Sequence, residues 1–201
     1  MKLYYSPGAC SMAVHITALE LDLKLELVRV NLREHQTELG EDYYQINPKG
    51  YVPFLVLDNG ETLSEGVAIL NYLADNFGNS KLTVKKEDFT WYKFLEWFTF
   101  ANSEIHKMLG ALFAPNLEED RKQIIIERVL KRIAILDDHF KDHKFVLGSN
   151  ITVVDIYIYV CMQWAKFFDL DLSSFTNYLR FEADMHSRTS VQNALKAEGL
   201  N

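Results

Sequence analysis

Residues 47–66 read NPKGYVPFLVLDNGETLSEG, and this stretch decides how the first part of the chain folds. Asn59-Gly60 lies between the apolar run Phe54–Leu57 and a second short run, Glu61–Leu63. That is the strongest short-range signature of a β-hairpin, because Asn and Gly both accept the positive φ that a tight turn demands. Pro53 has no amide hydrogen, so it belongs at the start of a strand or on an edge. The backbone of Val52 before it is then able to pair outside its own sheet. A cis Val52-Pro53 bond would turn that backbone outward at a tight turn. Ser64 is placed to cap an apolar-periodic helix, leaving the amides of Glu65 and Gly66 at its positive end. A strand edge that accepts a peptide and a helix start that holds a carboxylate therefore lie close together. The pattern suits a small, peptide-like anion.

Upstream, Lys2–Tyr5 is a short β-type run broken by Ser6-Pro7-Gly8, and Cys10-Ser11 precede a helix with Met12, Ala13, Ile16 and Leu19 among its apolar positions. Leu25–Asn31 reads as a strand, and residues 35–45 as a weak polar helix stopped by Asn47-Pro48. Downstream of the hairpin a helix runs over Glu65–Phe77 and ends at Gly78. The order β-α-β-α-β-β-α over residues 1–80 predicts a small mixed sheet with helices. Residues 79–86 are polar, with Lys81, Lys85 and Lys86, and read as a linker. Residues 87–201 then read as helices alone: an aromatic-rich one to about Ala114, another from about Leu117 to Lys141, a buried one over Thr152–Phe168, and shorter ones to the end. Thr152 and Asp155 have capping-box spacing, with Ile151 and Ile156 placed as a hydrophobic staple.

A chain of 201 residues, 48% apolar and 24% charged, has the composition of an ordinary globular protein. The net charge of −7 is concentrated at the front: residues 1–80 hold 5 Lys+Arg against 11 Asp+Glu, and the rest 16 against 17. That balance argues against nucleic acid and against long-range attraction of an anion, so local donors (backbone amides, His35, Lys49) must hold any anionic ligand. No apolar run is long enough to span a membrane and the amino terminus does not resemble a signal peptide, which makes the cytoplasm the expected location. The 2 cysteines, Cys10 and Cys161, form neither a CxxC motif nor a disulfide framework.

Cys10 sits between a turn and a helix start, where backbone amides favour the thiolate; the alternative is a packing cysteine. A thioredoxin-type dithiol cycle is excluded, because no second cysteine follows at the required spacing. Cys161, inside an apolar run, reads as core. Thr99, Ser103 and His106 share one face of the aromatic-rich helix, and such a polar stripe faces water, a partner or a cleft. Ser11 reads equally as a helix cap. His139 and His143 have i, i+4 spacing but stand among aspartates at a helix end, which favours a solvated terminus over a metal site.

The stretches YYSPGACSMA (4–13), NPKGYVPFL (47–55), SEGVAILNYLAD (64–75), Glu104-Ile105-His106, the capping box and NALKAEGL near the end resemble the cytosolic glutathione transferases, and most closely their bacterial beta class. The resemblance implies an α/β thioredoxin-like, glutathione-binding domain over 1–80 and an all-α domain over 87–201 that carries the electrophile site. It implies glutathione as co-substrate without a metal, a homodimer, and conjugation of the glutathione thiolate to small hydrophobic electrophiles, a detoxification chemistry. Cys10 and His106 are then the groups at the glutathione sulfur, with Ser11 and Tyr5 as rival activators. Val52 and Pro53 would contact the peptide, Glu65 and Gly66 the γ-glutamyl end, and His35, Thr99, Ser103 and Glu104 complete the binding set. Phe113, Trp164 and Phe168 would receive the electrophile. Three departures stand out: His35 where lysine is common, Thr99 where asparagine is common, and Thr189-Ser190 in place of Pro-Glu before the last helix. The first two weaken the expected hold on carboxylates. Two other functions compete with conjugation: thiol-disulfide exchange or peroxide reduction through a Cys10-glutathione disulfide, and non-catalytic binding of glutathione or hydrophobic ligands.

Overall fold

The computed structural model describes residues 1–78 and 81–200. The chain forms two compact units, one of Met1–Asn79 with Thr189–Asn201 and the other of Ser80–Arg188.

In the first unit, β1 (Lys2–Tyr5), β2 (Glu26–Asn31), β3 (Gln36–Thr37), β4 (Phe54–Val56) and β5 (Thr62–Ser64) form one sheet in the order β3-β2-β1-β4-β5. β1 runs parallel to β2 and antiparallel to β4, with Leu3 opposite Leu27 and Leu55. Side chains alternate across a strand, so one face gathers Tyr4, Val28, Val30 and Phe54 around Tyr43 and Val52, while Leu3 and Leu55 are buried on the other. Helices α1 (Met12–Glu20) and α3 (Gly66–Phe77) pack together, and α2 is the short Tyr43–Ile46.

The hairpin turns where Asn59-Gly60 predicts it, Gly60 taking φ 86°. Pro53 lies just ahead of β4, after a cis Val52-Pro53 peptide bond. Two local expectations give way. The stretch 35–45 is not one weak helix: Gln36–Thr37 add a fifth strand, because Val30 and Asn31 offer β2's outer edge for antiparallel pairing, and only Tyr43–Ile46 turn helical after the Asp42 carboxylate accepts from the Tyr44 amide. Ser64 does not cap α3. It belongs to β5 opposite Phe54, and the helix begins after Glu65, which stands at φ 73° with no side-chain cap bond.

The last helix, α9 (Thr189–Glu198), packs on α1 in the first unit, so the helical unit stops at Arg188 rather than running to residue 201. Buried polar contacts explain why. Glu198 accepts from the Gly8 amide at 3.1 Å and meets His15 Nδ1 at 3.0 Å, and the Ser190 hydroxyl donates to Glu20 at 2.5 Å.

The second unit comprises α4 (Phe89–Phe100), a π-helical segment Ala101–His106, α5 (Lys107–Ala111), α6 (Glu119–Asp142), α7 (Val153–Phe167) and α8 (Thr176–His186). α7 is its core: every residue from Val153 to Met162 is buried, against α4, the π segment, α5 and α8. The capping box is formed at its start, with Asp155 accepting from the Thr152 amide and hydroxyl, each at 2.8 Å, and from the Val146 amide at 2.8 Å. Of the expected linker 79–86, Asn79 and Ser80 lie outside the described residues. Its remainder is not loose, because Leu82 is buried and its carbonyl accepts from the Val153 amide at 2.9 Å. No described helix is long and apolar enough to cross a membrane.

Candidate functional site

In the first unit the sheet delivers Cys10, Val52 and the start of α3. The Cys10 side chain, half-buried in the turn before α1, lies with Sγ 3.4 Å from the Val52 carbonyl, a contact in which the thiol donates. Val52 in turn is held by its neighbour. The Tyr51 carbonyl accepts from the Tyr43 hydroxyl and from Asn47 Nδ2, both at 2.8 Å. Tyr43 is fully buried, and burial pushes its phenol up to about 12, so it remains a donor. Nothing in the sequence marks Tyr43 or Asn47 for this role. Asn47-Pro48 was legible as a helix stop, but nothing local says which carbonyl the Asn47 amide would reach.

At the start of α3 the Glu65 carbonyl takes the Ile69 amide, closing the first helical turn. The amides of Gly66, Val67 and Ala68 precede that bond and have no partner within the helix, as at any helix start. The Glu65 carboxylate pairs with Lys49 at 2.8 Å on the surface. His35 also has φ in the left-handed region, at 51°. Its Nε2 meets the Tyr44 hydroxyl at 3.1 Å and its ring lies 4.4 Å from the Tyr44 ring. A Cβ built on Gly50 would come within 2.6 Å of Tyr44 and 3.1 Å of His35 Nδ1, so glycine is needed there to admit both rings. His35 is thus fastened to its own subdomain rather than extended like a lysine.

Two of the rival sulfur activators are committed elsewhere. Ser11 is fully buried, and its hydroxyl donates to the Ser6 carbonyl and accepts from the Ser6 amide, both at 3.2 Å. It makes no side-chain cap bond either. Tyr5 is buried on β1, and burial, followed by the negative charges of Glu198 and Glu38, raises its phenol above the ordinary range. It stays protonated.

In the second unit the expected stripe is bent. Thr99 is the penultimate residue of α4, and from Ala101 to His106 the winding is π, with more residues in each turn than the α-helical spacing assumed. Thr99 and Ser103 are exposed, and the Ser103 hydroxyl donates back to the Thr99 carbonyl at 2.8 Å. Glu104 is tied to Arg132 of α6 at 2.9 Å. His106 is half-buried, with Nδ1 2.5 Å from the Tyr157 hydroxyl and its ring 5.1 Å from that of Trp164. Tyr157 and Arg132 carry no signal in the sequence, because one is embedded in the apolar α7 run and the other is a surface-type residue on a helix.

Beside His106, Phe113 gathers Trp164 at 5.4 Å, Phe168 at 4.7 Å and Phe167 at 5.5 Å between ring centroids. Phe113 is 50% exposed and Phe167 70%, an open aromatic surface rather than a sealed core. Phe167 joins the three residues expected there. At the far end of α6, His139 stacks on His143 at 4.3 Å and touches Trp97, while its Nε2 donates to the Val146 carbonyl at 3.0 Å. Burial lowers its affinity for a second proton. Among the described residues no group of three His, Cys, Asp or Glu could hold a metal ion.

Comparison with known proteins agrees with this architecture along the whole chain. Residues 8–76 match the N-terminal domain of glutathione S-transferase, and residues 94–188 match its C-terminal domain. The glutathione S-transferase GstA of Escherichia coli O157:H7 is 38% identical over 200 residues, covering 100% of both chains. A ternary complex of BphK, a bacterial glutathione transferase, superposes with a TM-score of 0.96 at 39% identity and 100% coverage of each chain. A sphingomonad glutathione S-transferase complexed with glutathione gives a TM-score of 0.95 at 39% identity, and a beta-class enzyme of Sphingomonas chungbukensis gives 0.95 at 37%, each covering 100% of both chains. With both domains matched and identity above one third over its full length, this chain belongs to the glutathione S-transferase family, beside members of the bacterial beta class.

Proposed function

We propose that this protein adds the glutathione thiol to small hydrophobic electrophiles. The observation that carries the reading is the Cys10 Sγ to Val52 carbonyl contact of 3.4 Å, which puts a thiol against the backbone edge where a tripeptide would pair. Glutathione would lie along Val52 and Pro53 as an added strand. Its γ-glutamyl carboxylate would sit at the amides that open α3 and its ammonium on Glu65, displacing Lys49. His35, Thr99, Ser103 and Glu104 are the remaining proposed contacts, His35 acting from its Tyr44-bound position. His106 is the proposed thiol-polarising group, since Ser11 is spent on Ser6 and Tyr5 is a buried phenol. The aromatic surface of Phe113, Trp164, Phe167 and Phe168 suits a permissive apolar co-substrate. A homodimer in the cytoplasm is the proposed working form, by analogy with the family.

Steady-state conjugation of a chlorinated nitroarene with glutathione tests this reading. Turnover that His106→Ala reduces by at least about a hundredfold is the expected result for a positioned acid–base group. Tight glutathione binding with no turnover on a panel of electrophiles would overturn it in favour of a binding protein.

A second reading is favoured by the same half-buried thiol. A sulfur this close to the ligand's backbone edge is placed to form a mixed disulfide with glutathione, giving disulfide exchange or peroxide reduction alongside conjugation.

A further inference from the structure

His106 is not held by packing alone. Its Nδ1 lies 2.5 Å from the Tyr157 hydroxyl, and that hydroxyl lies 3.0 Å from Asn102 Oδ1. Tyr157 is 1% exposed, so solvent does not compete for its hydroxyl proton. A phenolic oxygen has one proton to give, and an amide oxygen can only accept. When the proton points at Asn102, the hydroxyl turns lone pairs toward the imidazole, and Nδ1 must carry a hydrogen to complete the contact. The partner of one ring nitrogen sets the state of the other.

Asn102 and His106, which both meet this hydroxyl, are four apart on the π-helical segment Ala101–His106. That winding is rare and collects at functional sites. The Tyr157 ring is itself wedged edge-on between Phe98 and His106, each 5.6 Å away, which leaves it little freedom to turn from either partner.

We propose that Asn102 and Tyr157 are positioning residues that hold neutral His106 as its Nδ1–H tautomer and so make Nε2 the basic nitrogen of the site. The inference deepens the role proposed for His106 above and rests on it. The glutathione S–H bond breaks, its electron pair stays on sulfur as thiolate, and the proton passes to Nε2, giving imidazolium. The thiolate then displaces the leaving group of the electrophile, and the imidazolium releases its proton to water. With the opposite tautomer Nε2 would already carry hydrogen and could only donate to sulfur.

The test is ¹⁵N spectroscopy of histidine-labelled full-length protein at a pH where the ring is neutral, combined with conjugation kinetics. The wild-type protein is expected to show His106 protonated at Nδ1. Asn102→Leu removes the acceptor, lets the hydroxyl turn to the ring, and is expected to switch His106 to the Nε2–H form. The same variant should lower kcat by about tenfold or more while leaving KM for glutathione within about twofold. Asn102→Asp, which keeps an acceptor, should restore the wild-type tautomer. A wild-type ring already protonated at Nε2, or an Asn102→Leu protein with unchanged tautomer, would overturn the inference even if the variant's activity fell. His106→Ala conjugating at the wild-type rate would instead sink the assignment of His106 as the thiol-polarising group, whatever the tautomer proved to be.

Discussion

His15 Nδ1 and Glu198 Oε1 lie 3.0 Å apart in the interior of the first unit, although 183 positions separate them in the chain. The Glu198 side chain is fully buried and its second oxygen takes the Gly8 amide, so one carboxylate ties the last helix both to α1 and to the turn that carries Cys10. Truncating it removes a hydrogen-bond partner from a buried imidazole and from a half-buried amide. Glu198→Ala is expected to cost about 3–5 kcal/mol in urea unfolding, and Glu198→Gln, which keeps an acceptor, distinctly less. A fragment ending at residue 79 should not fold until residues 189–200 are supplied in trans. A cooperative unfolding transition for the fragment alone would show that the last helix is dispensable.

Cys10 separates the two chemistries. Replacing it with alanine is expected to leave nitroarene conjugation within about threefold, the thiolate of glutathione being stabilised by another group, and to abolish glutathione-dependent disulfide reduction. Intact-mass analysis after mild oxidant should show a glutathione adduct on the wild-type protein and none on Cys10→Ala. An oxidised wild-type protein without any adduct would remove the redox reading.

Glu65 stands at φ 73°, a left-handed conformation that costs a side-chain-bearing residue on the order of 1–3 kcal/mol. Glycine relieves it, at an entropic cost of about 0.5–1 kcal/mol. Glu65→Gly is therefore expected to raise stability by about 1 kcal/mol while raising KM for glutathione, since the carboxylate proposed to hold the ligand ammonium is gone. The exposed pair with Lys49 contributes little to this balance. Loss of both stability and binding would mean the conformation is not strained.

Asp155 supplies a pH dependence with an unusual sign. Burial pushes its carboxyl up to about 6, against 3.8 for a solvated one, even though the amides of Val146 and Thr152 and the Thr152 hydroxyl partly offset the burial. Because the folded state holds this proton more tightly than the unfolded chain, folding is favoured at low pH. The benefit is fully present below the unfolded value and is lost as pH rises through about 6. Asp155→Asn should flatten that dependence. The stability difference between wild type and variant is expected to be about 2 kcal/mol larger at pH 4.5 than at pH 7, measured by urea unfolding at both. A difference that grows toward pH 7 would mean the three hydrogen bonds, not burial, dominate.

Ser11→Ala separates a structural role from a chemical one. Both bonds to Ser6 disappear, at a cost of about 1–2 kcal/mol, whereas kcat for conjugation should stay within about twofold at a temperature where the protein is folded. A drop of tenfold or more in kcat with unchanged stability would return Ser11 to the chemistry.

Much of the architecture was legible because its determinants are local. Asn59-Gly60 turns the hairpin through its own backbone preferences, Pro53 begins a strand because it lacks a donor, and Thr152 with Asp155 caps α7 within one helical turn. Local signals (a turn, a proline, a polar face) made Cys10, Val52 and His106 candidates, but for Cys10 and His106 only the family resemblance tipped the reading toward a glutathione site. Other features depend on partners that no window along the chain contains. Ser64 entered a strand because Phe54 lay opposite. Residues 36–37 became β because β2 had an edge to offer. α9 joined the first unit because Glu198 found His15 and Gly8. The hydroxyl of Tyr157, the arginine opposite Glu104 and the two donors on the Tyr51 carbonyl were set only when helices and loops packed. Short-range stereochemistry and periodicity therefore determine which elements this protein has. Desolvation, which obliges every buried donor and acceptor to find a partner however distant, decided which of them meet.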